Sequence, residues 1–282
     1  MKVLSFEHAG VASYGVVRGD GIVDVGAGLR AKYAPLGAVL RAGALAELGT
    51  AAEGKTATVG LDAITYLPTV PDPDKIVCVG LNYEAHRIET GREPSGYPVL
   101  FPRYAHCQVG HGQAMVKPNN SDQFDYEGEL VVVMGRTARH VARDAALDHV
   151  AGYGIYNDGS IRDWQRHTHQ FLPGKNFPAT GAFGPWLVTT DEIPDPSALT
   201  LETRLNGQVM QHANTDQLIF NIPYLISYIS DFMPLVPGDL IVTGTPGGVG
   251  FKRDPQVFMA EGDVIEVEIS AIGTLTNPIV NE

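Results

Sequence analysis

Tyr126-Glu127-Gly128-Glu129-Leu130 sets two carboxylates two residues apart at the head of the apolar run Leu130-Val131-Val132-Val133-Met134. In a strand, alternate side chains share a face. Glu127 and Glu129 would then point the same way, about 7 Å apart at their Cα atoms. Two carboxylates so placed repel unless a cation lies between them. Oxygen donors suit a hard ion such as Mg²⁺, Mn²⁺ or Ca²⁺. Two solvated glutamates on an edge strand would show the same spacing. Asn157-Asp158-Gly159 follows the stretch Gly152–Tyr156, which reads as a strand. Asp158 is therefore either a third oxygen ligand at a strand end or a helix N-cap.

A second group lies in Gly80-Leu81-Asn82-Tyr83-Glu84-Ala85-His86-Arg87-Ile88-Glu89. If this segment opens a helix, His86 and Glu89 share one face at i and i+3. A carboxylate beside an imidazole fixes its tautomer and raises its basicity, which is how a general base is built. A surface His–Glu pair has the same spacing. The polar segment Thr90–Gly96 after it reads as a lid. His106 and His111 are pocket candidates, although five residues apart they do not share a helix face. Thr243-Gly244-Thr245-Pro246-Gly247-Gly248-Val249-Gly250 lacks the Gly-Lys-Ser/Thr of a phosphate loop. It reads instead as a backbone-rich loop that holds a carboxylate through N–H groups and Thr245. Lys175 is a candidate anion-binding cation.

The elements that carry these residues are mostly strands. Lys75–Gly80, Glu129–Gly135, Leu240–Gly244 and Val264–Ile269 are short apolar or alternating runs bounded by glycine or turn residues. Helices are expected near 83–90, 142–150 and 222–231, with one more over 36–48. Val16-Val17 and Ile22-Val23 flank Gly19-Asp20 as a hairpin. Pro68, Pro71 and Pro73 mark a stiff extended linker. The expected division is a small N-terminal mixed domain, 1–70, and a catalytic domain, 71–282.

Of 282 residues, 44% are hydrophobic and 18% charged, which supports a large core and argues against disorder. The net charge is −12, and residues 1–70 are balanced, so the whole excess lies beyond them. Such a chain repels phosphate backbones, so no nucleic-acid partner is expected. No apolar run reaches the ~18 residues of a membrane span, and no membrane partner is expected. The N-terminus lacks the apolar core of a signal peptide, so a cytoplasmic protein is expected. The two cysteines, Cys78 and Cys107, suggest neither a disulfide framework nor a zinc site.

Taken together, these stretches resemble the fumarylacetoacetate hydrolase family. The matching elements run in order: Lys75 to His86, Asp125 to Leu130, Asn157-Asp158, Arg162 to Gln165, Pro173 to Lys175, Asn206-Gly207, Pro237 to Asp239, and Thr243 to Pro246. The resemblance implies an α+β, mainly β fold, with a rolled β-sheet catalytic domain and a small N-terminal domain. It implies a homodimer with one Mg²⁺ or Mn²⁺ per subunit, held by Glu127, Glu129 and Asp158. It places the catalytic pair on His86 and Glu89, and oxyanion and substrate contacts on Gln165, Lys175 and Thr245.

Arg103 stands where many relatives carry lysine. Together with Tyr83, His106 and His111 it completes the expected substrate-binding set. The polar loop from Tyr104 to His111 is similar to the branch acting on 2,4-diketo-3-deoxy sugar acids such as L-2,4-diketo-3-deoxyrhamnonate. The implied function is hydrolysis of the carbon–carbon bond of a 2,4-diketo acid to pyruvate and a carboxylic acid. The alternatives are oxaloacetate decarboxylation and isomerisation or hydration of a 2-oxo acid. The substrate partner is a small oxo acid in each case. A metal-stabilised scaffold without catalysis is the reading from another class, and it predicts a lost member of the His–Glu–Lys set.

Overall fold

A computed structural model describes all 282 residues. The chain is mainly β, built from two large sheets. The larger has twelve strands. From one edge its path runs Val59–Gly60, Gly21–Asp24, Val11–Arg18, Lys2–His8, Gly181–Thr189, Val150–Asn157, Gly128–Met134, Leu240–Val242, Ile76–Gly80 and Val99–Arg103. The second sheet orders Gln208–Asn214, Thr200–Leu205, Val264–Ile269, Gly273–Asn281 and Met115–Lys117.

Gly128–Met134 is a central strand, buried along its whole length. That explains why it reads as a continuous apolar run and not as an alternation. Leu130 and Val132 pack with Leu201, Ile265, Val267 and Leu275 of the second sheet. Val131 and Val133 face the opposite side, against Phe101, Tyr156 and Leu187. Strand direction then gathers chemistry at one end. Gly128–Met134 runs antiparallel to Val150–Asn157 and to Leu240–Val242, and the latter runs parallel to Ile76–Gly80. The head of the first and the tails of the other three therefore share one end of the sheet.

Residues 1–70 form a hairpin around Gly19-Asp20 and carry a small core of Val3, Tyr14, Val16, Leu36, Val39 and Leu48. They also extend the large sheet, because Lys2–His8 pairs with Gly181–Thr189 through Lys2–Val188 and Val3–Leu187. The single helix expected over 36–48 is two helices, Leu36–Arg41 and Leu45–Ala52. The break falls at Gly43, whose φ of 64° no right-handed helix accepts. The expected helices near 83–90 and 222–231 are present as Glu84–Glu89 and Ile222–Phe232. The segment near 142–150 is a 3₁₀ helix, Arg143–His149.

Candidate active site

Glu127 lies just before the central strand and Glu129 at its second position. Asp158 directly follows the neighbouring strand. The pairings Gly128–Asn157 and Glu129–Tyr156 bring the three carboxylates together. One oxygen from each lies within 4.8 Å of the others, and all three residues are buried. The strand is central, so the solvated edge-strand alternative does not describe it. Asp158 caps no helix; the next one begins at Arg162 behind Ile161.

Cations surround the triad unevenly. Lys175 Nζ bridges Glu127 Oε2 at 2.6 Å and Asp158 Oδ2 at 2.7 Å. Arg162 Nη1 meets Glu127 Oε1 at 2.6 Å, and its Nε meets Asp125 Oδ2 at 2.8 Å. Arg103 Nη1 meets Asp158 Oδ1 at 2.5 Å. Glu129 has no ion pair; its Oε2 accepts a single hydrogen bond, from the Gly244 N–H at 2.5 Å.

The titration directions follow this asymmetry. Burial pushes the Glu127 carboxyl up, but Arg162 and Lys175 outweigh it and hold it well below the usual range. Burial, then Asp158 and Glu127, push Glu129 well above that range. Burial pulls the Lys175 ammonium down, and Asp158 and Glu127 outweigh it, leaving it raised.

A buried carboxylate without a counter-charge beside two others is a donor set short of one cation. The three residues fit a hard divalent ion held by oxygen. Without the ion, the folded protein binds a proton at Glu129 that the unfolded chain releases from its ordinary value of 4.5 upward. The metal-free fold therefore loses stability as pH rises above that value. The ion must displace this proton, so its affinity falls as pH drops through the raised Glu129 range, by roughly tenfold per pH unit at most. Glu129→Gln keeps the Gly244 contact and removes the charge. At neutral pH it should stabilise the metal-free protein by on the order of 1–3 kcal/mol and abolish any rise in melting temperature on adding Mn²⁺. A melting series with and without Mn²⁺ measures both.

The imidazole of His86 lines the same cleft as Glu127 and Glu129. Tyr83, in an extended conformation, caps the helix Glu84–Glu89. His86 is buried on that helix, its Nδ1 lying 2.7 Å from Glu89 Oε1. Glu89 Oε2 accepts from the Gly248 N–H at 2.9 Å. Glu89 is thus fixed from behind and faces Nδ1 as the N–H donor, leaving Nε2 without a hydrogen-bond partner. The loop Thr243–Gly248 touches both halves of the site, Glu129 through the Gly244 N–H and Glu89 through the Gly248 N–H.

His86, Glu127, Glu129, Gln165, Lys175 and Thr245 line one cleft of about 260 Å³. Thr245 is already engaged: its hydroxyl donates to Gly128 O at 3.1 Å and accepts from Gln211 Nε2 at 2.7 Å. Gln165 Oε1 accepts from Arg162 Nη1 at 3.0 Å, which leaves its amide N–H groups free. Thr90, Gly91 and Arg92 form part of the wall, where a lid was expected.

Four expected substrate contacts lie elsewhere. Arg103 is fully buried behind Asp158, drawn there by the carboxylate, by Gly159 O at 2.9 Å and by Thr180 Oγ1 at 3.0 Å. Tyr83 is buried at the start of the helix Glu84–Glu89 and does not line the cleft. His111 Nδ1 accepts from the Thr276 N–H at 3.1 Å, its ring packed edge-on against Tyr66. His106 is exposed and contacts Asn176 O at 3.0 Å through Nε2. The polar loop therefore puts no histidine in the cleft.

The sequence reading missed Arg162, Arg92, Arg166 and Lys252, which line the same cleft. It also missed Asp125 as a structural centre. Asp125 takes the Arg162 Nε and the backbone N–H groups of Gly250 and Phe251 at 2.8 and 3.1 Å. The signal for Arg162 was its place four residues after Asp158, but only the pairing of Asp125 with Ser160 shows what it reaches.

Comparison with known proteins places this geometry. The bovine (Bos taurus) protein described as oxaloacetate tautomerase FAHD2A, mitochondrial, is 42% identical over 219 residues, which are 77% of this chain and 70% of that one. The crystal structure of 5-carboxymethyl-2-hydroxymuconate delta-isomerase from Mycobacterium smegmatis superposes with a TM-score of 0.80 at 30% identity, covering 100% of this chain and 99% of that one. Maleylpyruvate hydrolase from Sphingobium sp. SYK-6, in complex with manganese(II) ion and pyruvate, gives a TM-score of 0.81 at 28% identity over 100% and 99% of the two chains. The family described as fumarylacetoacetate (FAA) hydrolase C-terminal matches residues 75–280. The sheet, the buried triad and the match across three-quarters of the sequence agree, and the chain belongs to the fumarylacetoacetate hydrolase family.

Proposed function

We propose that the protein is a divalent-metal-dependent enzyme that takes a short 2-oxo dicarboxylic acid through its enolate. Keto–enol tautomerisation of an oxaloacetate-like acid is the reaction the site supports best. The observation that carries it is a single cleft lined both by His86, whose Nε2 has no partner, and by Glu127 and Glu129 of a buried three-carboxylate set. The name carried by the 42% identical bovine relative supports the same reading.

Glu127, Glu129 and Asp158 would hold Mg²⁺ or Mn²⁺. The ion would supply Lewis-acid stabilisation of negative charge on a 2-oxo oxygen. His86 Nε2 accepts the proton from substrate C3, and Glu89 stabilises the imidazolium that forms. The C3–H electron pair moves into the new C2–C3 double bond as the carbonyl oxygen takes the charge. His86 then returns the proton to that oxygen, which completes the enol. Closure of Thr90–Arg92 over the cleft would exclude water.

Charge at the mouth favours a second carboxylate on the substrate. Arg92, Arg166 and Lys252 form no ion pair with any carboxylate of the chain, and Arg162 Nη2 makes no hydrogen bond. In a chain of net charge −12 this is an anion-seeking surface. An outer cavity of about 610 Å³, sharing Arg92 and Arg166 with the cleft, gives a distal group room. Arg166→Gln should raise KM for oxaloacetate about tenfold or more, the loss expected for a hydrogen bond to a charged group. KM for a monocarboxylic 2-oxo acid should stay unchanged. Steady-state kinetics on the two substrates measure the difference.

Hydrolysis of a 2,4-diketo acid is a second reading, favoured by the free Gln165 amide as an oxyanion donor. In it, His86 would deprotonate water. The sugar-acid form of that reading loses its polar partners, because His106 and His111 lie outside the cleft.

The test is metal-stripped enzyme given back Mg²⁺ or Mn²⁺, then oxaloacetate or an acylpyruvate. Metal-dependent interconversion of enol and keto oxaloacetate without pyruvate supports tautomerisation. Pyruvate matched by a carboxylic acid from the acylpyruvate, with no effect on oxaloacetate, replaces it with hydrolysis. Pyruvate matched by CO₂ from oxaloacetate replaces it with decarboxylation.

A further inference from the structure

Each carboxylate of the triad has one oxygen already taken by a fixed donor. Glu127 Oε1 is held by Arg162 Nη1, Glu129 Oε2 by the Gly244 N–H, and Asp158 Oδ1 by Arg103 Nη1. The remaining three oxygens, one per residue, are left to share a cation. Lys175 stands against two of them.

Arg103 is the most completely built of these holders. Its Nη1 donates to Asp158 Oδ1 at 2.5 Å and to Gly159 O at 2.9 Å. Nη2 donates to Thr180 Oγ1 at 3.0 Å, and Nε approaches Cys107 Sγ at 3.2 Å. The guanidinium lies over the Tyr156 ring, 5.9 Å from its centroid. It fills the space left by a missing side chain, since a Cβ on Gly181 would sit 2.7 Å from Nη2 and 2.9 Å from Cζ. Arg103 does not line the cleft. It acts only through Asp158.

We infer that Arg103 is a positioning residue that sets which ion the triad accepts, by locking Asp158 into single-oxygen ligation. Ca²⁺ takes six to eight oxygens and commonly binds a carboxylate through both of its oxygens, whereas Mg²⁺ demands six at near-octahedral positions. Mn²⁺ shares the six-oxygen preference. A triad confined to one oxygen per carboxylate serves the smaller ions and underserves Ca²⁺. Releasing Asp158 Oδ1 gives Ca²⁺ a further ligand and lets the free oxygens drift from positions that suit Mn²⁺. The inference rests on the triad being a metal site, as the proposed function requires.

The experiment is calorimetric titration of metal-stripped protein with MnCl₂ and separately with CaCl₂, with no substrate present. Two variants are compared with wild type. Arg103→Lys keeps the charge, but one ammonium cannot span Asp158, Gly159, Thr180 and Cys107. Gly181→Ala keeps Arg103 and drives its guanidinium off Asp158 by contact alone.

Wild type should bind Mn²⁺ more tightly than Ca²⁺. Both variants should lose Mn²⁺ affinity by about 10–100-fold, the usual cost of removing a ligand's outer partner, while Ca²⁺ affinity falls less or rises. The Mn²⁺/Ca²⁺ ratio should therefore drop about tenfold or more. A merely structural arginine would weaken both ions alike and leave the ratio unchanged, which overturns the inference. Wild type that binds Ca²⁺ as tightly as Mn²⁺ overturns it too. If wild type binds neither ion, the proposed function falls with it. Mn²⁺ binding with an unchanged ratio removes the arginine's role alone. Should Arg103→Lys fail to fold, Gly181→Ala carries the test, because it deletes no buried charge.

Discussion

Replacing His86 with alanine should cut turnover by about 10²–10⁴-fold, with Mn²⁺ binding unchanged in a titration of the same protein. The size follows from the geometry. Nε2 is the free ring nitrogen in a cleft whose other polar side chains are cations, carboxylates, an amide and two engaged hydroxyls. The carboxylates are either ion-paired or, like Glu129, part of the triad that would hold the cation. Lys175, held charged by Asp158 and Glu127, cannot accept a proton. Glu89→Gln should lose less, because an amide still fills the space, but it would no longer stabilise the imidazolium. His86→Ala with wild-type turnover would falsify the base assignment and move the proton transfer to a water or to the substrate itself.

The second large effect concerns stability. Asp125→Ala should destabilise the fold by about 3–5 kcal/mol, the cost of leaving a buried charge without its partner. Asp125 is fully buried and joins three segments. It holds Arg162 Nε at 2.8 Å and accepts the N–H groups of Tyr126, Gly250 and Phe251. Arg162 would retain Glu127 but lose the contact that aims it. The urea midpoint should fall, and Arg162, held by Glu127 alone, should fix that carboxylate less firmly, so metal affinity should fall with it. A variant with a wild-type midpoint would show that the Glu127 contact alone suffices to anchor Arg162.

Parts of this arrangement were legible because local physics writes them into local sequence. The β-branched run after Glu129 marks a strand buried on both faces, and the alternation in Val264–Ile269 marks one buried on a single face. Three oxygen donors at strand termini could be grouped by chemistry, and the structure places them together. Other parts depend on partners far away in the chain. Nothing near Val3 says that it will pair with Leu187. Arg103 carried every mark of a cleft residue, since arginines are seldom fully buried without a partner. Its partner is Asp158 and its space is Gly181, so neither the burial nor the role can be read from Leu100-Phe101-Pro102-Arg103. His106 and His111 were chosen for residue type, while their position depends on pairings with Asn176 and Thr276. Arg92 and Arg166 carried no signal in the sequence, because the acids they lack are a property of the folded cleft and not of their neighbours in the chain.

The loop Thr243–Gly248 is a gauge. One of its amides grips Glu129 of the triad, and another grips Glu89, the carboxylate that faces His86. Asn82 ties the loop's root to the segment before the helix Glu84–Glu89, through Nδ2 to Thr243 O at 2.7 Å. The span between the proposed proton acceptor and the proposed cation site is thus measured out in peptide units. Side chains at Pro246 or Gly247 could change without altering that span. One inserted residue would lengthen it by a whole peptide unit, up to ~3.3–3.6 Å of chain. That exceeds the misplacement of about 1 Å at which catalysis already loses on the order of 10²-fold. The length of this loop, more than its composition, is what the chemistry constrains.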